Sequence, residues 1–243
     1  MTTSLATISE TITRDLAMKI IRGTLSDGEM LPGENELAVQ YSASRTSVRN
    51  ALHVLSAKGL LSIQAKRRST VNPRELWSFL DTDVLGWMEE VGISPDVAEQ
   101  LVVTRLMFEP NAAFLAAANA TARDLAAIEE AWTLMLRGQQ QDQIALFEEG
   151  DLAFHTALLK SCHNPFLMSI GNALSAAMML SFKQTQESSV RETEHAVEQH
   201  RLLLEAIRLR QGVTARECMR DIILSAANRH LWATLPEKYT QLI

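Results

Sequence analysis

From residue 76 onward the sequence offers one helical pattern after another and no alternating stretch, so this part of the chain has no sheet to fold around. Apolar residues recur at helical spacing over roughly 95–119, 121–137, 142–162, 164–185, 191–210 and 213–232. Helices that each carry one apolar stripe bury those stripes against one another, and a bundle is the expected result. WSFLDTDVLGWMEEVG leads into these runs, with Leu80, Val84, Trp87 and Met88 placed to make an apolar face, as a linker helix would. The first third reads differently, because glycine and proline punctuate it.

In that first third, Ile8, Ile12, Leu16 and Ile20 fall at four-residue spacing and predict an amphipathic helix. A turn-rich loop, GTLSDGEMLPG, separates it from two shorter helical patterns, ENELAVQY and RTSVRNALHVLSAKG. The second of these ends at Gly59, a natural helix stop. Leu60–Ile63 and Ser69–Val71 then predict two short strands around the basic turn QAKRR. Helix, short helix, turn, second helix and hairpin is the order of a winged helix-turn-helix. The expected class is therefore mainly α, with a winged helix-turn-helix over 1–74, a linker helix over 75–90 and an all-α bundle over 91–243.

Charge follows the same division. Residues 1–74 hold ten Lys or Arg against six Asp or Glu, a balance of +4, while the remainder carries -10, giving the whole-chain -6. A basic head on an acidic body is the distribution expected when one end meets a polyanion. Val48, Leu52 and Leu55 can pack inward from the second short helix, which turns Arg45, Arg49 and Asn50 outward. Near the start of a recognition helix, such arginines can pair with guanine or grip phosphate, and Ser44, Thr46 and Ser47 can bond the DNA backbone. Lys66, Arg67 and Arg68 stand at the tip of the predicted hairpin, where a wing would meet the duplex.

Composition bounds the rest. At 47% hydrophobic and 21% charged residues the chain is expected to be a folded globular protein. No apolar run approaches the ~18–20 residues of a membrane span, and MTTSLATISETITRDL lacks the pattern of a secretory leader. Cys162 and Cys218 form no CxxC pair and are expected to be reduced, which together with the head points to the cytoplasm.

The informative residues of the bundle are polar groups on inward faces. Asp151 and His155 lie one turn apart in a stripe with Ile144, Phe147 and Leu158. His200 shares a face with Leu203, Leu204 and Ile207, whereas His195 falls opposite and is expected to be exposed. Arg105 sits between Leu101, Phe108 and Ala112. A buried carboxylate is costly unless it is paired or binds a metal. Two imidazoles and a carboxylate, here Asp151, His155 and His200, are a usual ligand set for zinc, nickel or manganese, and a nearby arginine would suit a small carboxylate. The alternative at this point is an ordinary core in which Asp151 bonds His155, and Arg105 pairs with Glu109 or Asp151. A metal-dependent enzyme is not expected, since no candidate nucleophile or general base adjoins the cluster.

The segment LPGENELAVQYSASRTSVRNALHVLSAKGLL resembles the DNA-binding head of the GntR family of bacterial transcription regulators. TRLMFEP, GDLAFHTALLKSCHNP and EQHRLLLEAIR resemble the helical effector (FCD) domain of its FadR-like branch, and WSFLDTDVLGWMEE is similar to regulators of sugar-acid use. The resemblance implies a homodimer on a palindromic operator, released when a small organic acid binds. It implies an aldonate such as D-galactonate as that acid, with another small carboxylate or an acyl-CoA as alternatives. It places Arg45, Thr46 and Arg49 on the DNA-contacting helix and Arg67 on the wing. Arg105, Asp151, His155 and His200 correspond to effector- and metal-site positions, and Asn172 is a further candidate that helical phase leaves open as an interface residue. Three departures accompany it. Ile222 stands where a fourth metal ligand is usual, Arg68 where the wing usually has glycine, and Gly33 and Asn35 where serine and arginine are usual at the start of the first short helix.

Overall fold

The computed structural model describes residues 6–64, 67–92, 94–171 and 193–230, side chains through 227. It divides into two compact units, one ending at Gly92 and one beginning at Ile93.

In the first unit, α1 (Ile8–Ile21) opens with a capping box: Thr7 accepts from the Glu10 amide while Glu10 accepts from that of Thr7. Its stripe buries Ile12, Leu16 and Ile20, but Ile8 lies in the first turn, below the packed face, and is exposed. Helix α2 (Glu34–Gln40) and helix α3 (Arg45–Ala57) follow, with Ser42 at φ 49° in the turn between them. Ser44 caps α3 by accepting from the Ser47 amide, and Val48, Ala51, Leu52 and Leu55 carry its buried face. Past α3, Gly59 adopts φ +78°, and a Cβ there would lie 2.0 Å from the carbonyl oxygen of Leu76. Only glycine meets both conditions. The chain then forms the hairpin, β1 (Leu61–Ser62) antiparallel to β2 (Thr70–Val71) with Leu61 opposite Val71, and Met30 bridges Thr70 from the loop before α2.

A 3-10 turn (Arg74–Leu76) and α4 (Thr82–Val91) complete this unit. Three ion pairs fasten α4 inside it. Glu90 takes Arg14 of α1 at 2.5 Å, and Lys58, just past α3, reaches Asp81 at 2.7 Å and Asp83 at 2.8 Å.

The described residues of the second unit form helices joined by short turns. It contains α5 (Pro95–Asn119), α6 (Ala122–Gln140), α7 (Ile144–Ser161), a helix α8 that starts at 165 and is described to 171, α9 (Thr193–Arg208) and α10 (Gly212–His230). Alanines 112, 113, 116 and 117 let α5 approach its neighbours closely. Around them pack Ile128 and Met135 from α6, Phe154 and Leu158 from α7, Leu203 and Ile207 from α9, and Met219 and Ile223 from α10. By length and composition α5 could cross a membrane, yet 56% of its apolar window is buried in this core. It is also the helix that carries Arg105 and Glu109.

Candidate functional site

Three helices deliver five charged or ionisable side chains to one place in the second unit. Helix α5 supplies Arg105 and Glu109, α7 supplies Asp151 and His155, and α9 supplies His200. Each helix presents them because they share its apolar face, and none is more than 5% exposed. Arg105 Nε donates to Glu109 Oε1 at 2.6 Å, and Glu109 Oε2 lies 2.5 Å from His155 Nδ1. His200 Nδ1 lies 2.7 Å from the main-chain carbonyl of Ala196, and its ring stands edge-on to Phe154 with centroids 4.8 Å apart.

These contacts assign the protons. A carbonyl oxygen only accepts, so His200 Nδ1 carries hydrogen, and a carboxylate likewise assigns hydrogen to His155 Nδ1. In the neutral rings both Nε2 atoms then present lone pairs. Those atoms lie 3.4 Å apart, and Asp151 Oδ1 is 2.9 Å from His200 Nε2 and 3.7 Å from His155 Nε2. Three acceptors thus converge in a buried space, and an arrangement of that kind requires a cation or a proton among them. The separations suit donors set ~2.0–2.2 Å from one ion. The Asp151, His155 and His200 set therefore fits a divalent metal, and Ile222, 5% exposed, supplies no fourth donor.

Electrostatics favour the ionised carboxylates. Burial pushes the Glu109 carboxyl up, but the Arg105 charge, the His155 charge when that ring holds a second proton, and the hydrogen bonds from both outweigh it and hold it down at about 2. Burial also raises Asp151, and a hydrogen bond from His200 and the charges of His200 and His155, present when those rings hold a second proton in place of a metal, together with the Arg105 charge lower it below the usual carboxylate range.

Sequence reasoning left two partner choices open, and the geometry decides both. Arg105 pairs with Glu109, and the imidazole nearest Asp151 is that of His200, at 2.9 Å, rather than that of its helical neighbour His155, at 3.7 Å. Neighbours at i, i+4 project side by side, and Glu109 has drawn the His155 ring toward α5. The role of Glu109 as a bridge was not foreseen. Its signal was present in the spacing, four residues past Arg105 on the same inward face. His195 is exposed as expected, and Asn172 lies outside the described residues.

In the first unit, Arg45, Thr46, Arg49 and Asn50 are exposed on one side of α3, and Ser47 is half-buried because its hydroxyl meets Ser44 Oγ at 2.9 Å within the helix cap. Arg49 is held by Glu34 through Nε at 3.2 Å and Nη2 at 2.8 Å, and Arg68 reaches Glu36 at 3.1 Å. Arg67 donates to Gln64 at 3.2 Å, and Asn35 is exposed beside the two glutamates. Lys66 lies outside the described residues.

Residues 8–71 match the bacterial regulatory proteins of the gntR family, and residues 100–225 match the FCD domain. The chain belongs to the GntR family, in its FCD branch. It is 33% identical over 214 residues to the galactonate operon transcriptional repressor of Escherichia coli K12, covering 88% of this chain and 93% of that one. It is 30% identical over 232 residues to the transcriptional repressor NanR of Salmonella newport, covering 95% and 87%. Among solved structures, Lar of Listeria monocytogenes shares the fold at TM-score 0.65 and 20% identity, over 92% of this chain and 96% of that one. Heads of the GntR family bind DNA and FCD domains bind small effectors, so this GntR-family chain is a ligand-responsive, DNA-binding transcription regulator.

Proposed function

We propose that this regulator represses a sugar-acid catabolic operon in the cytoplasm, as a homodimer on a palindromic operator, and that an aldonate such as D-galactonate releases it. Two α3 helices present Arg45, Thr46, Ser47 and Arg49 to successive major grooves about one helical turn apart, ~34 Å. Asn35 and the wing residues Lys66, Arg67 and Arg68 add backbone contacts.

The observation that carries the effector reading is the buried convergence of a guanidinium with three metal-type acceptors, Arg105 with Asp151, His155 and His200. Zinc, nickel or manganese held by Asp151, His155 and His200 would supply a Lewis-acidic centre for ligand oxygens. Arg105 takes the ligand carboxylate, and Asn172 is a further contact. By binding one dimer arrangement better than the other, the aldonate changes operator affinity. The inward polar set, Arg105, Asp151, His155 and His200, favours a small hydroxy acid over an acyl-CoA, whose chain would need an apolar tunnel. The identities to transcription regulators support a binding protein without catalysis.

The test is operator binding by wild type and Arg105→Ala with increasing D-galactonate, beside a thermal-shift screen of aldonates, uronates and simple carboxylates on metal-loaded and metal-stripped protein. Wild type should leave the operator as D-galactonate rises, while Arg105→Ala should stay bound. Release of both by the same concentration would remove Arg105 from the effector site, and a shift with citrate or lactate alone would replace the aldonate.

A further inference from the structure

Both imidazoles of the cluster are fixed by the nitrogen that faces away from it. For His200 the fixing group is main chain, Ala196 O at 2.7 Å. For His155 it is a side chain on another helix, Glu109 Oε2 at 2.5 Å, 46 residues earlier in the sequence. The same carboxylate takes the Nε–H of Arg105 at 2.6 Å through its other oxygen. Glu109 is 1% exposed, so both oxygens are committed inside the protein. A group needed only to neutralise Arg105 would not have to reach the far nitrogen of a ligand-type histidine.

We propose that Glu109 is the positioning residue of the site: by bridging Arg105 Nε to His155 Nδ1 it fixes the His155 tautomer that offers Nε2 to a metal and sets the guanidinium that receives the effector. In the resting state Nδ1 of His155 keeps its hydrogen, so the Nε2 lone pair points at Asp151 and His200. A carboxylate on the remote nitrogen also makes the imidazole a stronger donor, and losing such a partner elsewhere costs about 10–100-fold in metal affinity. Because Arg105 shares this carboxylate, one substitution should disturb both halves of the site. The inference rests on the metal reading for its affinity arm and on geometry alone for its tautomer arm.

The tautomer is read first, in metal-free protein labelled with 15N-histidine, from long-range 1H–15N spectra. Wild-type His155 should show a protonated Nδ1 and a bare Nε2. Glu109→Gln should mix or reverse this pattern, because one amide oxygen cannot serve two donors while its NH2 group faces one of them. Zinc titration by calorimetry should then show Glu109→Gln binding about 10–100-fold more weakly than wild type, with Glu109→Asp between them and the exposed Glu198→Gln unchanged. A wild-type His155 protonated on Nε2 overturns the inference without any variant. So does a Glu109→Gln protein with wild-type tautomer and wild-type zinc affinity. If wild type shows the expected tautomer but takes up no zinc, nickel or manganese, the metal reading fails and the tautomer shift in Glu109→Gln, or in Glu109→Asp should the former not fold, still decides the role of Glu109.

Discussion

Glu109 keeps its charge in the interior because Arg105 and His155 reach it from two helices, and this has a consequence for acid stability. Its folded value of about 2 lies below the ordinary 4.5. A depressed carboxylate stabilises the fold fully above its unfolded value, and the contribution is lost as pH falls from about 4.5 toward 2, on the order of 3 kcal/mol in all. At neutral pH this group makes stability flat. Glu109→Gln should therefore be less stable than wild type at pH 7, with the gap closing below pH 4, as followed by urea unfolding at a series of pH values. An undiminished gap at low pH would mean that Glu109 acts by shape rather than charge. Helical phase was enough to turn Arg105, Asp151, His155 and His200 inward. It could not say that Glu109 would stand between Arg105 and His155, since phase orders residues around one helix and is silent about the next.

The elements explain how α7 comes to hold Asp151 and His155 at the required depth. Helices α6 and α7 touch through glycine: a Cβ at Gly150 would lie 2.5 Å from the Met135 amide nitrogen, and one at Gly138 would lie 2.4 Å from that of Phe147. Gly150 immediately precedes Asp151, so moving α7 outward moves the carboxylate. Gly150→Ala should cost roughly 1–3 kcal/mol of stability and weaken zinc binding, readable from one denaturation curve and one titration. Wild-type values in both would show that the two helices separate freely. At the start of α2 the expectation is opposite. Gly33 has φ -66° and ψ 160°, and a Cβ there meets only Glu36 Oε2 at 3.7 Å. Gly33→Ser should be tolerated and stabilise the head by up to about 0.5 kcal/mol, measured as a higher urea midpoint; a lower midpoint would mean that the serine hydroxyl competes with the residue 33 amide for the Glu36 carboxylate.

For the molecule as a whole, the balance of +4 in residues 1–74 against -10 in the remainder sets how it meets DNA. Operator affinity should fall steeply with salt, and Arg45→Ala should reduce the slope of log affinity against log salt by about 1 per head. Arg49 is a different case, because the duplex must first replace Glu34 as its partner. Glu34→Gln should accordingly raise affinity for non-specific DNA more than for the operator, in fluorescence-anisotropy titrations at fixed salt. Equal gains on both would show that the ion pair has no part in discrimination.

Order and phase of the helices, the hairpin, the outward face of α3 and the inward polar groups of the bundle were determined by the sequence itself, because each depends on spacing within about a dozen residues. The head also announced itself in composition, through its glycines, prolines and basic residues. Only the tertiary structure decided that Arg49 and Arg68 pair with Glu34 and Glu36, that Arg105 takes Glu109, and that Asp151 lies nearest His200 while His155 turns to α5. Those choices join residues up to 49 positions apart within the bundle. They depend on the lateral placement of one helix beside another, which alanines on α5 and glycines on α6 and α7 permit and no periodicity within a single helix encodes.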